Sequence, residues 1–335
     1  MRNRRRGVAL LVTLLILAIV IILTAQLSSA TRTSAVLSAN YVAELQNYHA
    51  LRAAVNHAVM ILRTDKSKGV AEDTLHETWA LPFNPLTLGD AQVSWRIEDE
   101  ERRLSARNIT MKVMEQGKPV EKPNPKARDR INRLVLLLGL PIEGLGQRIV
   151  DYQDADKEGD FEDTDDDFPL GSFGELLLVN GVTEQILYGK GGKTPQEQGL
   201  QPWLTVWGNG AVNINTAPLE VIMSLDPKIS KTDAEKIIQY RDSKKTDGTY
   251  VSFAQVDKTL LINDVHLSEE VADILVGVAK EGGLGMASSA FSVYLRARSG
   301  GFESRARVIL KRDASTVTTI FWDDDQRFTR REETR

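Results

Sequence analysis

Cysteine is absent from all 335 residues, which excludes disulfides, thiolate zinc sites and thiol nucleophiles. Histidine is scarce. The four (His49, His57, His76, His266) are scattered, and His49 and His57 fall eight apart on an expected helix, as solvated or packed side chains rather than ligands. Gly-x-Ser-x-Gly, His-Glu-x-x-His and P-loop patterns are missing. An acidic cluster could in principle hold Mg²⁺ for a nuclease, but no nearby Lys/His constellation supports it. The sequence therefore reads as a non-enzyme. Two further absences are local. No charged side chain occurs from Val8 to Leu27, and neither Gly nor Pro occurs from Ser28 to Leu62.

The uncharged run is long enough to span a bilayer as a helix, with its backbone polar groups satisfied internally. Four arginines (Arg2, Arg4, Arg5, Arg6) and Gly7 precede it. By the positive-inside rule they hold the N-terminus in the cytoplasm and send the rest to the far side. A cleaved secretory signal ending near Ala25 or Ala30 and a plain signal anchor are the alternatives. The helical pattern continues past the membrane edge, with apolar residues at Val36, Val42, Leu45, Leu51, Val55, Val59 and Leu62 broadly on one side.

Ala91–Glu98 alternates as a half-buried strand, Glu98–Arg103 reads as a charged turn, and Leu104–Ile109 as a second strand. Met111–Arg128 reads as a linker. Residues 127–280 read as small helical hairpins packed as a bundle, with Thr183 and Thr216 as N-caps and Gly189–Gly199 loose. Arg148-Ile-Val-Asp-Tyr-Gln-Asp loosely repeats as Lys236-Ile-Ile-Gln-Tyr-Arg-Asp. Phe291–Arg298, Glu303–Leu310 and Val317–Trp322 read as a three-stranded antiparallel meander, followed by a charged tail.

A basic leader, a Gly and a long helix that turns from apolar to amphipathic resemble the type IV pilin-like signal. The resemblance implies cleavage by the prepilin peptidase between Gly7 and Val8, with methylation of the new terminus. Pilins and most pseudopilins carry Glu as the fifth mature residue; here it is Val12. That departure, with a large helical insertion between early strands and a final meander, resembles the K-type minor pseudopilins of the type II secretion system. The fold expected is α+β: a pilin-like long N-terminal helix on an antiparallel sheet, with a large inserted all-α domain. The divisions are leader 1–7, membrane helix 8–27, pseudopilin helix and first strands 28–126, helical insert 127–280, C-terminal strands 281–322 and tail 323–335. The resemblance implies an inner-membrane, single-pass protein with a periplasmic soluble domain, partnered by I- and J-type minor pseudopilins.

The densest chemistry is Asp151–Asp167, with eight Asp, two Glu and one Lys. Such crowding costs several kcal/mol at an effective dielectric of about 20 unless cations neutralise it. Close-spaced hard oxygens with a Gly suit Ca²⁺. Asp154-x-Asp156-x-Glu158-Gly159 mimics half an EF-hand loop, with Glu162 and Asp165 at its ninth and twelfth places; a solvated acidic loop is the alternative. K-type pseudopilins bind calcium in such a segment, and the resemblance implies Asp151, Asp154, Asp156, Glu162 and Asp163 as ligands. Removing the leader with its four arginines takes the net charge from −4 to −8, which argues against nucleic acid. Val212 onward resembles the helix–hairpin–helix of membrane-anchored DNA receptors. Its hairpin, Asp226-Pro227-Lys228-Ile229-Ser230, lacks the Gly-x-Gly that admits phosphate and adds a carboxylate.

Overall fold

The computed structural model describes residues 2–67, 71–115, 118–154, 161, 169–314 and 316–324. Its longest element is α1 (Arg2–Ser67), one continuous helix of 66 residues, roughly 100 Å long at ~1.5 Å per residue. The apolar part is long enough to cross a membrane and none of it is buried against the protein. The second half packs on the sheet through Ala43, Ala50, Leu51, Ala54, Val55, Ala58 and Leu62. Leu51, Val55 and Leu62 of the expected face lie in this seam, while Val36, Val42 and Leu45 are exposed; the four alanines in the stripe, with their short side chains, let helix and strands approach closely.

The sheet has five strands in the order β1-β2-β9-β10-β11, all antiparallel. They are β1 (Leu86–Leu88), β2 (Ala91–Asp99), β9 (Ala290–Ser299), β10 (Phe302–Arg312) and β11 (Val317–Asp323). In β2, Val93, Trp95 and Ile97 point to α1 while Gln92, Ser94 and Arg96 alternate to the other face. The register sets Trp95 opposite Leu295 and Leu295 opposite Ala306, so one face of three strands forms a single apolar layer. Trp79 from the preceding loop closes it, meeting Phe291 edge-on at 5.2 Å between centroids.

Between β2 and β9 the chain builds a second unit with its own core. Its elements are β3 (Leu104–Ser105), β4 (Thr110–Glu115), β5 (Lys118–Pro123), α2 (Pro125–Leu138), α3 (Leu145–Gln153), α4 (Glu184–Tyr188), α5 (Pro195–Gln198), β6 (Leu204–Thr205), β7 (Val212–Asn213), α6 (Leu219–Ser224), α7 (Lys231–Arg241), α8 (Lys258–Asn263), α9 (Glu269–Lys280) and β8 (Leu284–Gly285). The unit is largely helical, but β3 pairs parallel with β6 and β7 with β8. Asn124 caps α2 through the N–H groups of Lys126 and Ala127, and Gly139 ends it at φ 64°. α2 and α3 touch where Gly146 lies, since a Cβ there would collide with the Arg128 carbonyl. The two repeat sequences form α3 and α7.

Several local expectations are corrected. The linker is a β4–β5 hairpin running into α2. The second strand is a two-residue β3 followed by a 3-10 turn, Arg107–Ile109. Gly189–Gly199 is ordered by α5, whose Thr194 and Glu197 make a reciprocal capping box. Thr183 does cap α4. Thr216 caps nothing: α6 starts three residues later behind Pro218, and the buried Thr216 hydroxyl donates to Asp99 instead (2.5 Å).

Candidate functional site

The largest departure from expectation is at Glu98–Arg103. Six charged residues in a row suggest a solvated turn, yet Asp99, Glu100, Glu101 and Arg103 are all buried. They sit where β2 leaves the sheet and the helical unit begins. Glu100 is wholly enclosed and accepts hydrogen bonds from Arg103 (2.7 Å), Arg307 of β10 (2.7 Å), Thr205 of β6 (2.5 Å) and Ser292 of β9. One carboxylate thus joins both units. Burial opposes its charge, but the two guanidiniums outweigh this and hold its pKa far below the carboxylate range.

Asp99 faces the other way. It accepts from the Asn213 amide (3.1 Å), Thr216 and the Glu101 N–H (2.8 Å). Burial pushes its pKa to about 6 against these bonds, with help from Asp73. Glu101 accepts at Oε1 from Ser289 and from the Asn209 N–H (3.1 Å), while buried Oε2 has no hydrogen-bond partner. Burial lifts it to about 7, opposed by Ser289 and assisted by Asp99. Asn213 completes the junction by donating to the Asp73 carbonyl (3.0 Å) and Ser288 (2.9 Å).

A second carboxylate group joins Asp65, Asp73 and Glu77, whose oxygens lie within 4.8 Å of one another. Arg312 already serves it, donating to Asp73 (2.5 Å) and Asp65 (3.3 Å). Its cation is built in, and its role is to tie the end of α1 to β10.

Of the five expected calcium ligands, Asp151 and Asp154 lie on the last turn of α3 and at its C-cap, both buried. Asp156, Glu162 and Asp163 lie outside the described residues. Asp151 accepts from Gln147 (2.5 Å) and from the Phe161 N–H (3.3 Å). Gln153 between them fixes the helix end, donating to the Ala106 carbonyl (2.8 Å) and accepting from the Leu170 N–H (3.3 Å). Two buried carboxylates therefore stand at the start of the acidic segment. Their donor type, hard anionic oxygen, suits Ca²⁺ rather than a soft metal. Gly7 and Val8 lie within the helical backbone of α1; their side chains are outside the described ones.

The helix–hairpin–helix formed by α6 and α7 is sealed against phosphate. The N–H of Lys228, a donor such a hairpin would offer, is taken by the Asp226 carboxylate (2.9 Å). His57 packs edge-on to Trp95 at 5.2 Å, as a half-buried packed side chain.

Comparison with known proteins agrees with this architecture. Residues 212–278, from β7 to α9, match the family described as type II secretion system (T2SS), protein K. The putative type II secretion system protein K of Escherichia coli K12 is 26% identical over 276 residues, covering 77% of this chain and 82% of that protein. The fold matches the crystal structure of the GspK-GspI-GspJ complex of the enterotoxigenic E. coli type 2 secretion system, with a TM-score of 0.62 at 14% identity, covering 88% of this chain and 99% of that chain. With a long helix on an antiparallel sheet and a helical unit inserted before the last three strands, the chain is similar in sequence and in fold to protein K of the type II secretion system.

Proposed function

We propose that the chain is a non-catalytic structural subunit at the tip of a type II secretion pseudopilus, where it helps start assembly and so supports protein export. One observation carries this reading: where the helical unit sits. The β9–β10 turn lies beside Ala43 and Asn47, on the membrane side of the soluble part. The helical unit joins through Glu98–Arg103, at the opposite end of β2. A subunit stacked above would run into it. Val12 fits the same place, since a Glu in lipid needs a partner, and a tip subunit has no neighbour above it to pair with. Val36, Leu37, Tyr41, Val42, Leu45 and Tyr48 are exposed on α1 and would meet neighbouring subunits.

In this reading the partners are I- and J-type minor pseudopilins, as in the similar complex. The N-terminus is cytoplasmic and the soluble part periplasmic. The test is co-expression of the full chain with the I- and J-type proteins of its own system. A discrete heterocomplex capping the filament is expected; repetition of this chain along a filament shaft, seen by electron microscopy, would refute the tip assignment.

The prepilin peptidase would cut after Gly7 and leave methylated Val8. A side chain at Gly7 would obstruct a narrow scissile site, so Gly7→Val is expected to leave the precursor uncut. Mass spectrometry of wild type showing cleavage after Ala25 or Ala30 would overturn the pilin-like processing.

Calcium would bind Asp151 and Asp154 together with Asp156, Glu162 and Asp163. It supplies positive charge that allows this segment to close on itself. A ligand that binds only the folded state stabilises it by about 2.7 kcal/mol at 100 times its Kd. Millimolar Ca²⁺ should raise the melting temperature, and Asp151→Ala with Asp154→Ala should abolish the rise. Identical melting curves with calcium and with chelator would show a solvated loop.

A further inference from the structure

α1 lies across β2, β9 and β10, and β1 extends the sheet past its edge. Leu86 pairs opposite Val93 and Leu88 opposite Ala91, so both leucines share the face that meets α1, yet both are exposed. The gap beside them is a groove of about 260 Å³, with Val42, Leu45, His49 and Ala50 on the helix side and Leu88 and Gly89 on the strand side. No charged residue occurs from Trp79 to Gly89, and the helix wall carries none either. The exposed Asp90 stands at the turn end, where Gln46 of the groove wall donates to it (3.4 Å). The register also says which backbone groups β1 leaves open. The two-residue turn Gly300-Gly301 makes Ser299 and Phe302 a hydrogen-bonded pair, so even-numbered residues of β9 bond to β2, and odd-numbered residues of β2 bond to β1. Leu86 and Leu88 therefore hold β2, and Thr87 turns its N–H and C=O outward, where no strand pairs with them among the described residues.

We propose that an extended segment of a partner protein adds to the free edge of β1 as a sixth strand, apolar at every second residue and carrying a Lys or Arg that meets Asp90. Thr87 anchors its main chain and the groove takes its alternate side chains, the two parts of recognition by strand addition. Leu86, Leu88, Val42 and Leu45 then leave water together. A helix fills the groove but leaves the Thr87 groups unpaired. A second copy of this chain brings the same uncharged stretch and another Asp90 in place of a cation. Lipid is out of reach, since Val42 lies ~22 Å of helix past Leu27 at ~1.5 Å per residue, and headgroups extend only about 5–8 Å beyond the hydrocarbon. The proposal holds for the chain at any position in a filament.

The test is fluorescence anisotropy of a short labelled peptide, Val and Leu alternating with Thr and ending in Lys, titrated with the full chain in phosphatidylcholine nanodiscs. Saturable binding is expected. Thr87→Pro removes the outward N–H without touching a ladder bond and should weaken binding at least tenfold, while Thr87→Val should bind as wild type. N-methylated peptides probe the same bonds with the protein unaltered. Successive residues of a strand bond to opposite sides, so methylating either the Thr set or the apolar set should abolish binding and methylating the other should spare it. No binding, wild-type binding by Thr87→Pro, or equal effects of the two methylated peptides would overturn the proposal. Two further results would assign the groove elsewhere. Tighter binding of an amphipathic leucine–lysine helical peptide means a helix, and dimers of the chain alone that Thr87→Pro abolishes mean a second copy; in either case the proposal fails.

Discussion

Replacing Glu100 by alanine is expected to cost about 3–5 kcal/mol, the usual loss when one partner of a buried ion pair is removed. The carboxylate is fully enclosed, and Arg103 and Arg307 are 4% and 5% exposed. Without Glu100, Arg307 and Arg103 both lose a buried carboxylate at 2.7 Å, while Arg103 keeps its pair with Glu98. At 2–4 °C per kcal/mol for domains of this size, the melting temperature should fall by roughly 10 °C. The effect should also be regional. Glu100 bonds to Thr205 in the helical unit and to Ser292 and Arg307 in the sheet, so limited proteolysis of the variant should cut near residues 98–105 or 285–292. Glu100→Gln keeps the shape and one acceptor and should cost less. A Glu100→Ala protein melting within 2 °C of wild type would show that packing alone joins the two units.

Folded stability should be higher at pH 5 than at pH 8. Asp99, at about 6, and Glu101 and Glu77, each at about 7, have pKa values raised by burial, with nearby carboxylates adding to this. A carboxyl with a raised folded pKa prefers to be protonated in the native state. Its contribution is complete below the unfolded values of 3.8 and 4.5 and is lost as pH rises through 6 to 7. Glu98 and Glu303 oppose this at the acid end. Their folded values are about 2, so their contribution is present above 4.5 and lost as pH falls toward 2. The optimum therefore lies between about pH 4 and 5. One pKa unit is worth about 1.4 kcal/mol, and the raised groups are mutually dependent, so a total loss of about 3 kcal/mol by pH 8 is expected. The measurement is melting temperature against pH, with chelator throughout to exclude calcium effects. Glu101→Gln places an amide where Oε2 has no hydrogen-bond partner and mimics the protonated acid, so it should flatten part of the slope. A rise in stability from pH 5 to pH 8 would contradict the junction as described.

Local chemistry made much of this molecule legible before any coordinates. An uncharged run with no Gly or Pro after it can only be a long helix, because every backbone group is satisfied along its own axis and no residue breaks it. The alternation in β2, β9 and β10 comes from the pleat, which sends successive side chains to opposite faces, and it is visible in any half-buried strand. The N-cap at Thr183 is equally local, since its partner is three residues away. The acidic segment and the buried pair Asp151 and Asp154 at its root were also in view, as carboxylate density needs no tertiary contact to be seen.

What the sequence determined by itself, then, is every feature whose partners lie within one turn or one strand: the long apolar helix, the meander, the order of elements and the carboxylate density of the acidic segment. Only the tertiary structure decided which charges are buried and what they hold. Glu98–Arg103 looks solvated because burying charge is expensive, and the arginines that compensate it come partly from β10, two hundred residues on. Thr216 looks like a cap because its nearest backbone partners are local, but Asp99, 117 residues away, takes its hydroxyl. The alanine seam of α1 looks like a weak apolar face because alanine carries little hydrophobic surface; it becomes the packing face only because the sheet comes close enough to exclude anything larger. In each case the deciding free energy is a desolvation or a steric fit between distant segments, and no window along the chain contains both halves.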